Sequence, residues 1–288
     1  MTMQSVQSVK EYLDQIQKQR MGSNIFYRGQ CGNKHRPLPY VFRKGFMDKE
    51  DYLYHELILR CPETFRGLSH LDILVMMQHY GLPTRLLDVS SNPLVALYFA
   101  CKDYSHSHDG EPGMVYVYMV KDDKVAYADS DRVLMLSCLP VFSSDQKAKI
   151  LKAVNEGLKT NKIRKVDKGR VYTAPVERLF HEIAKEVPAF KREIKPADLL
   201  TPIVVKPLRS NARIVKQDGA FILSGLCEDK KDAEDKIQQI CTYEIEIRDR
   251  DQILDELDRL GINEATLFPE VDKVADYLRL KCEEGYKN

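Results

Sequence analysis

Segments of helical periodicity and segments of strand character are interleaved along this chain without strict alternation, an order that favours an α+β fold over a doubly wound one. Met114 to Val120 is a near-continuous apolar run, as expected of a buried strand. Tyr243 to Arg248 alternates apolar and charged residues and so predicts a half-exposed strand. Shorter strand signals lie at Ile25 to Arg28, Thr84 to Val89, Val133 to Phe142, Ile203 to Lys206, Ala212 to Lys216 and Ala220 to Leu223.

Val6, Val9, Leu13 and Ile16 recur at helical spacing in a polar segment, which predicts an amphipathic opening helix. Further helices are expected over Glu50 to Cys61, Lys147 to Leu158, Val176 to Val187, Gln252 to Leu260 and Glu270 to Cys282. Ser69 has the position of a helix cap, with Asp72 three residues on, and Gly81-Leu82-Pro83 ends that helix. Ser90-Ser91-Asn92-Pro93 begins another, since proline loses nothing where an amide has no intrahelical partner. Cys31 to Gly45 is a long loop rich in Pro, Gly and basic residues, and Lys159 to Arg170 is a lysine-rich connection. No internal repeat is visible, and one domain over residues 1–288 accounts for the pattern.

With 43% hydrophobic and 30% charged residues, the chain can build a core under a well-solvated surface. A net charge of +1 gives no electrostatic case for a general nucleic-acid binder. The seven cysteines are scattered, without the close pairs that a zinc site needs, so a reducing compartment and no metal are expected. No apolar stretch is long enough to cross a bilayer and the N-terminus carries no leader, so a cytoplasmic protein without a membrane partner is expected.

Four segments carry a resemblance: Phe26-Tyr27-Arg28-Gly29-Gln30; Gln78 through Asp88; Ser91 through Ala100; and Asn211-Ala212-Arg213-Ile214 through Phe221. Taken in order, with the ending Gly261 to Pro269, they resemble the FRG-domain family along about nine-tenths of the chain, because independent matches multiply. The motif-bearing core then spans residues 22–225, and a C-terminal strand and helices fill 226–288. A more distant resemblance is to ADP-ribosyltransferases of the Arg-Ser-Glu type. Tyr27-Arg28-Gly29 stands for their first element, and Val89-Ser90-Ser91 running into the Val95-Ala96-Leu97-Tyr98-Phe99 helix for their second. That resemblance implies a mixed, mostly antiparallel β core flanked by helices, with NAD bound as substrate.

On this reading Arg28 offers a guanidinium fork to a pyrophosphate and the Pro93 helix offers its first amides. Tyr27, Gly29, Gln30, His79, Arg85, Ser90 and Ser91 join Arg28 in the nucleotide cleft. The resemblance implies catalytic roles for Arg28 and Ser90, and a carboxylate to face the developing oxocarbenium ion. No glutamate occupies the third element, where Gln217 and Asp218 stand, so Gln217 and Glu182 are the candidates, with Glu244 and Glu246 a further pair. Blander roles exist for each: Arg28 pairing with Asp88, His79 bonding a carbonyl, Ser90 and Ser91 capping a helix, and Gln217-Asp218-Gly219 forming a turn with Gly219 at positive φ. Glu244 and Glu246 would be the solvated face of an edge strand. A toxin or phage-defence effector acting on an unknown macromolecular acceptor is what the resemblance implies. A non-catalytic module that recognises a nucleotide or an RNA end in the same cleft is the competing expectation.

Overall fold

A computed structural model describes residues 4–18, 24–32, 35–102, 111–160, 174–190, 195–208 and 211–285. Its strands are β1 (Gln4–Val6), β2 (Asn24–Gln30), β3 (Leu86–Ser90), β4 (Gly113–Val120), β5 (Val125–Tyr127), β6 (Ile203–Lys206), β7 (Gly219–Leu223) and β8 (Tyr243–Ile247). The helices of the first half are α1 (Val9–Lys18), α2 (Glu50–Arg60), α3 (Pro62–Phe65), α4 (His70–His79), α5 (Pro93–Cys101), α6 (Asp131–Ser137) and α7 (Ser144–Thr160). Those of the second half are α8 (Ala174–Glu186), α9 (Pro196–Leu200), α10 (Ala212–Lys216), α11 (Lys230–Ile240), α12 (Arg250–Arg259), α13 (Glu264–Leu267) and α14 (Val271–Gly285).

The strands form one mixed sheet in the order β1-β8-β4-β2-β3-β7-β6-β5, parallel only at the two outer pairs and antiparallel within. The expected α+β class with a mostly antiparallel core is what the chain forms. β4 lies inside the sheet, paired with both β2 and β8, which explains its unbroken apolar run.

Strand alternation sorts the side chains onto two faces. Phe26, Leu87, Val89, Tyr116, Tyr118 and Ile222 share one face, against Ile237 of α11. On the opposite face the apolar cover comes in two clusters. One joins Val115, Val117, Ile245 and Ile247 to α1, α5 and α12. The other joins Leu86, Val205, Phe221 and Leu223 to α4, α6 and α8. Their boundary falls at the seam between β2 and β3, which share the single residue pair Tyr27 with Ser90 before diverging.

Two glycines bring α5 onto the sheet. A Cβ on Gly29 would lie 1.8 Å from the Ala96 carbonyl oxygen, and one on Gly113 would lie 2.2 Å from that of Ala100. The helix backbone therefore touches the strands directly, which no larger residue permits.

Several expectations are corrected. Val133 to Phe142 is not a strand but α6 followed by the 3₁₀ turn Leu139–Val141. Val133, Leu134, Met135 and Leu136 are all buried, so this helix is apolar on every side and shows no helical period. Ala212 to Lys216 is α10, held in helical form by Asn211, whose side chain accepts from the Arg213 amide at 2.8 Å. At the following turn Asp218, not Gly219, takes positive φ, at 45°. Three-residue β1 and β5 were too short to be read from sequence, and the polar α11 has its start marked by the Asp229 cap. The segment 161–173, most of the lysine-rich connection, lies outside the described residues. No described helix is long and apolar enough to cross a membrane.

Candidate functional site

Where β2 and β3 part, the two apolar clusters leave a cavity of about 530 Å³. β2 contributes Tyr27, Arg28, Gly29 and Gln30, and β3 contributes Asp88, Val89 and Ser90. α4 adds Val75, Gln78 and His79, while α5 adds Val95, Ala96 and Phe99. Arg213 and Gln217 close it from α10 and its cap, and the loop after β2 supplies His35 and Arg43. Arg28, Ser90 and Gln217, far apart in sequence, thus meet at one concave surface, with Tyr27, Gly29, Gln30 and His79 beside them.

Arg28 stands at the seam. Its Nη1 donates to the Asp88 carbonyl at 2.7 Å, a group that strand divergence has left without a ladder partner on the β2 side. The same nitrogen is 3.9 Å from Asp88 Oδ2, and Nε is buried with no protein partner. A part-buried guanidinium that lines the cavity, with a donor that the protein leaves unmet, suits an anionic or carbonyl ligand. Arg43 is close by, its Nε donating to the Leu38 carbonyl at 3.0 Å. Burial, and then the charge of Arg28, lower the Arg43 pKa. Two neighbouring guanidiniums repel one another until an anion joins them.

Arg213 lies over Phe268, with 4.6 Å between its guanidinium carbon and the ring centroid, and Phe268 meets Phe99 edge to face. The Gln217 amide donates to the Leu267 carbonyl at 3.1 Å, so the C-terminal Leu267-Phe268 step holds this wall in place. The charged walls are three arginines against one carboxylate, that of Asp88, among the described lining residues.

Ser90 lines the cavity but its hydroxyl is engaged: it donates to the Gln217 carbonyl at 2.7 Å and accepts from the Asn92 amide at 2.9 Å. That makes it a strut between β3 and the α10 turn. The cap of α5 is Asn92, accepting from the Leu94 amide at 3.0 Å, rather than Ser90 or Ser91. Ser91 opens instead on a smaller cavity of about 280 Å³ beside Asn24 and Lys206.

Four other expected residues lie away from the main cavity. Arg85 is 2% exposed, forks onto Glu50 and donates to the Ser224 and Gly225 carbonyls. Lys147 completes the buried triad, 2.7 Å from Glu50. Burial alone would raise the Glu50 pKa, but Arg85 and Lys147 hold it down to about 2. Arg85 is therefore bound to structure, since a charge can be buried only with such partners. Glu182, on α8, accepts from Lys185 at 2.6 Å and is not part of the cavity wall. Glu246 pairs with Arg248 at 2.6 Å and Glu244 accepts from Gln238 at 3.2 Å, both on β8 at the far side of β4.

Sequence reading left Arg43, His35 and Arg213 unassigned. Arg43 and His35 sit in the basic loop that follows the Arg-Gly step, and Arg213 lies within the Asn211 to Phe221 segment. Gln78 was read as part of the cleft segment without a role of its own, and Asp88 only as a possible ion-pair partner of Arg28. No curated protein and no solved structure matches the chain. Residues 23–109, which carry β2, α4, β3 and α5 and so most of the cavity, match the family model of the FRG domain.

Proposed function

We propose that the cavity binds a nucleotide of the NAD class and that the protein acts as an ADP-ribosyltransferase-like NAD-consuming enzyme. The observation that carries the reading is Arg28: a part-buried guanidinium on the cavity wall whose Nε meets no protein acceptor, near Arg43 and at the seam of the sheet. A pyrophosphate is the ligand group that answers such a set of donors, by bidentate charge-assisted bonds. The aromatic walls, Tyr27, Phe99 and Phe221, suit a base or a nicotinamide ring. A volume of about 530 Å³ falls in the range of small-molecule sites, roughly 300–1,000 Å³.

Two observations favour a second reading, a binding module without catalysis: the Ser90 hydroxyl is engaged as a strut, and no glutamate lines the described cavity. One experiment separates them. Purified protein is titrated with NAD by calorimetry and then incubated with NAD while free nicotinamide is measured. Binding with release supports the enzyme, and binding without release supports the module. Neither binding nor release ends the nucleotide reading.

A further inference from the structure

Asp88 is the only carboxylate among the described cavity walls, and it is held there by a chain of hydrogen bonds whose direction is set by chemistry. The chain begins at Thr84, fully buried, whose Oγ1 accepts from the Leu86 amide at 3.2 Å. Its hydroxyl proton goes to Gln78 Oε1 at 2.5 Å. Gln78 must then present its amino group on the other side, and Nε2 donates to Asp88 Oδ2 at 2.8 Å. A side-chain amide fixed with Nε2 outward calls for an acceptor, which Asp88 supplies as a carboxylate. Gln78, Thr84 and Asp88 belong to the one segment that turns from α4 into β3, so the turn itself aligns them.

The other oxygen, Oδ1, has no bonding partner among the described residues, and the side chain is 60% exposed. Arg28 does not neutralise it by direct bonding. Its Nη1 is committed to the Asp88 carbonyl, and the 3.9 Å to Oδ2 exceeds hydrogen-bond reach. One wall therefore offers a fixed, unshared carboxylate oxygen beside an arginine whose Nε is free.

We infer that Asp88 is the catalytic carboxylate of this site, with Gln78 and Thr84 as its positioning residues, an inference that rests on the NAD reading above. The bond that breaks joins the ribose C1′ to the nicotinamide nitrogen. Its electron pair leaves with neutral nicotinamide, and the ribose takes on oxocarbenium character. Asp88 Oδ1 faces that positive charge while Arg28 and Arg43 hold the pyrophosphate. A water or an acceptor hydroxyl donates its oxygen lone pair to C1′, and its proton passes to the carboxylate and on to solvent. Each NAD and water yields one ADP-ribose, one nicotinamide and one proton.

The test compares wild type with Asp88→Asn and Gln78→Leu, using ADP-ribose for binding by calorimetry and NAD for nicotinamide release. Asp88→Asn keeps the acceptor for Gln78 and the shape of the wall. It is expected to keep ADP-ribose affinity within about threefold while release falls about a hundredfold or more, the scale of a lost charged or proton-transfer group. Gln78→Leu is expected to lower kcat at least about tenfold with KM for NAD little changed, a split that general loosening of the fold would not produce. Release at the wild-type rate by Asp88→Asn overturns the assignment. So does loss of ADP-ribose binding in that variant, which would make Asp88 a binding group. Wild type that binds ADP-ribose yet releases no nicotinamide overturns the chemistry and leaves the nucleotide site standing. Wild type that binds neither ADP-ribose nor NAD ends both.

Discussion

The Arg28 guanidinium bonds the main-chain carbonyl of Asp88 at 2.7 Å across the seam where β2 and β3 share one residue pair. A side chain thus replaces the ladder bond that divergence removes, and the space so opened becomes the cavity. Arg28→Ala is expected to cost about 1–2 kcal/mol of stability, the worth of a charged hydrogen bond. Affinity for NAD or ADP-ribose should fall tenfold or more, at least about 1.4 kcal/mol. Arg28→Lys should lose most of the affinity as well, because an ammonium cannot fork. Calorimetric titration beside a urea melt checks both, and unfolding of Arg28→Ala without ligand would make the residue structural.

Gly29 follows for a separate reason. Its Cβ would fall 1.8 Å from the Ala96 carbonyl oxygen, and neither strand nor helix backbone can retreat without breaking the other. Gly29→Ala is expected to cost at least about 3 kcal/mol, the upper end of ordinary overpacking. Gly81→Ala serves as the control: the space there is open, φ is 79°, and about 1 kcal/mol is expected. Urea midpoints of the two variants give the comparison.

Glu50 predicts the acid limb of stability. Its folded pKa, about 2, lies below the ordinary 4.5, so the folded state binds its proton less readily than the unfolded chain. The resulting stabilisation is fully present above about pH 4.5 and is lost as pH falls through about 2. At 1.36 kcal/mol per unit this amounts to roughly 3 kcal/mol. Glu50→Gln should remove that dependence and cost roughly 3–5 kcal/mol at neutral pH, since Arg85 and Lys147 would stay buried without their anion. Urea melts between pH 2 and 7 read both effects.

Glu182 and Gln217 should now behave differently from one another. Glu182→Gln removes a group outside the cavity wall, and nicotinamide release should stay within about twofold of wild type, well under 1 kcal/mol of barrier. Gln217→Ala removes the bond to the Leu267 carbonyl that steadies the Arg213 wall, and affinity for ADP-ribose should fall several-fold, about 1 kcal/mol. A large loss of release in Glu182→Gln would move the chemistry to α8.

What the sequence determined by itself is local. The buried run of β4, the Ser69 and Pro93 helix starts and the Gly81 stop depend on neighbours within a few residues, and each is where its pattern predicts. That the segments around Arg28, Gln78 to Asp88 and Gln217 form one cleft was implied by the resemblance they carry, not by any pattern local to each. Only the tertiary structure decided the rest. Burial on every side hid the helical nature of Val133 to Leu136, because periodicity exists only where a helix has a wet face. Whether a charge is scaffold or site depends on its partners. Glu50 meets Arg85 across 35 residues and Lys147 across 97, whereas Arg28 bonds the Asp88 carbonyl at the cavity wall and stays 3.9 Å from its carboxylate. Asp88 became the one carboxylate among the described cavity walls because β3 parts from β2, and strand divergence is a property of the assembled sheet that no residue pattern along a single strand records.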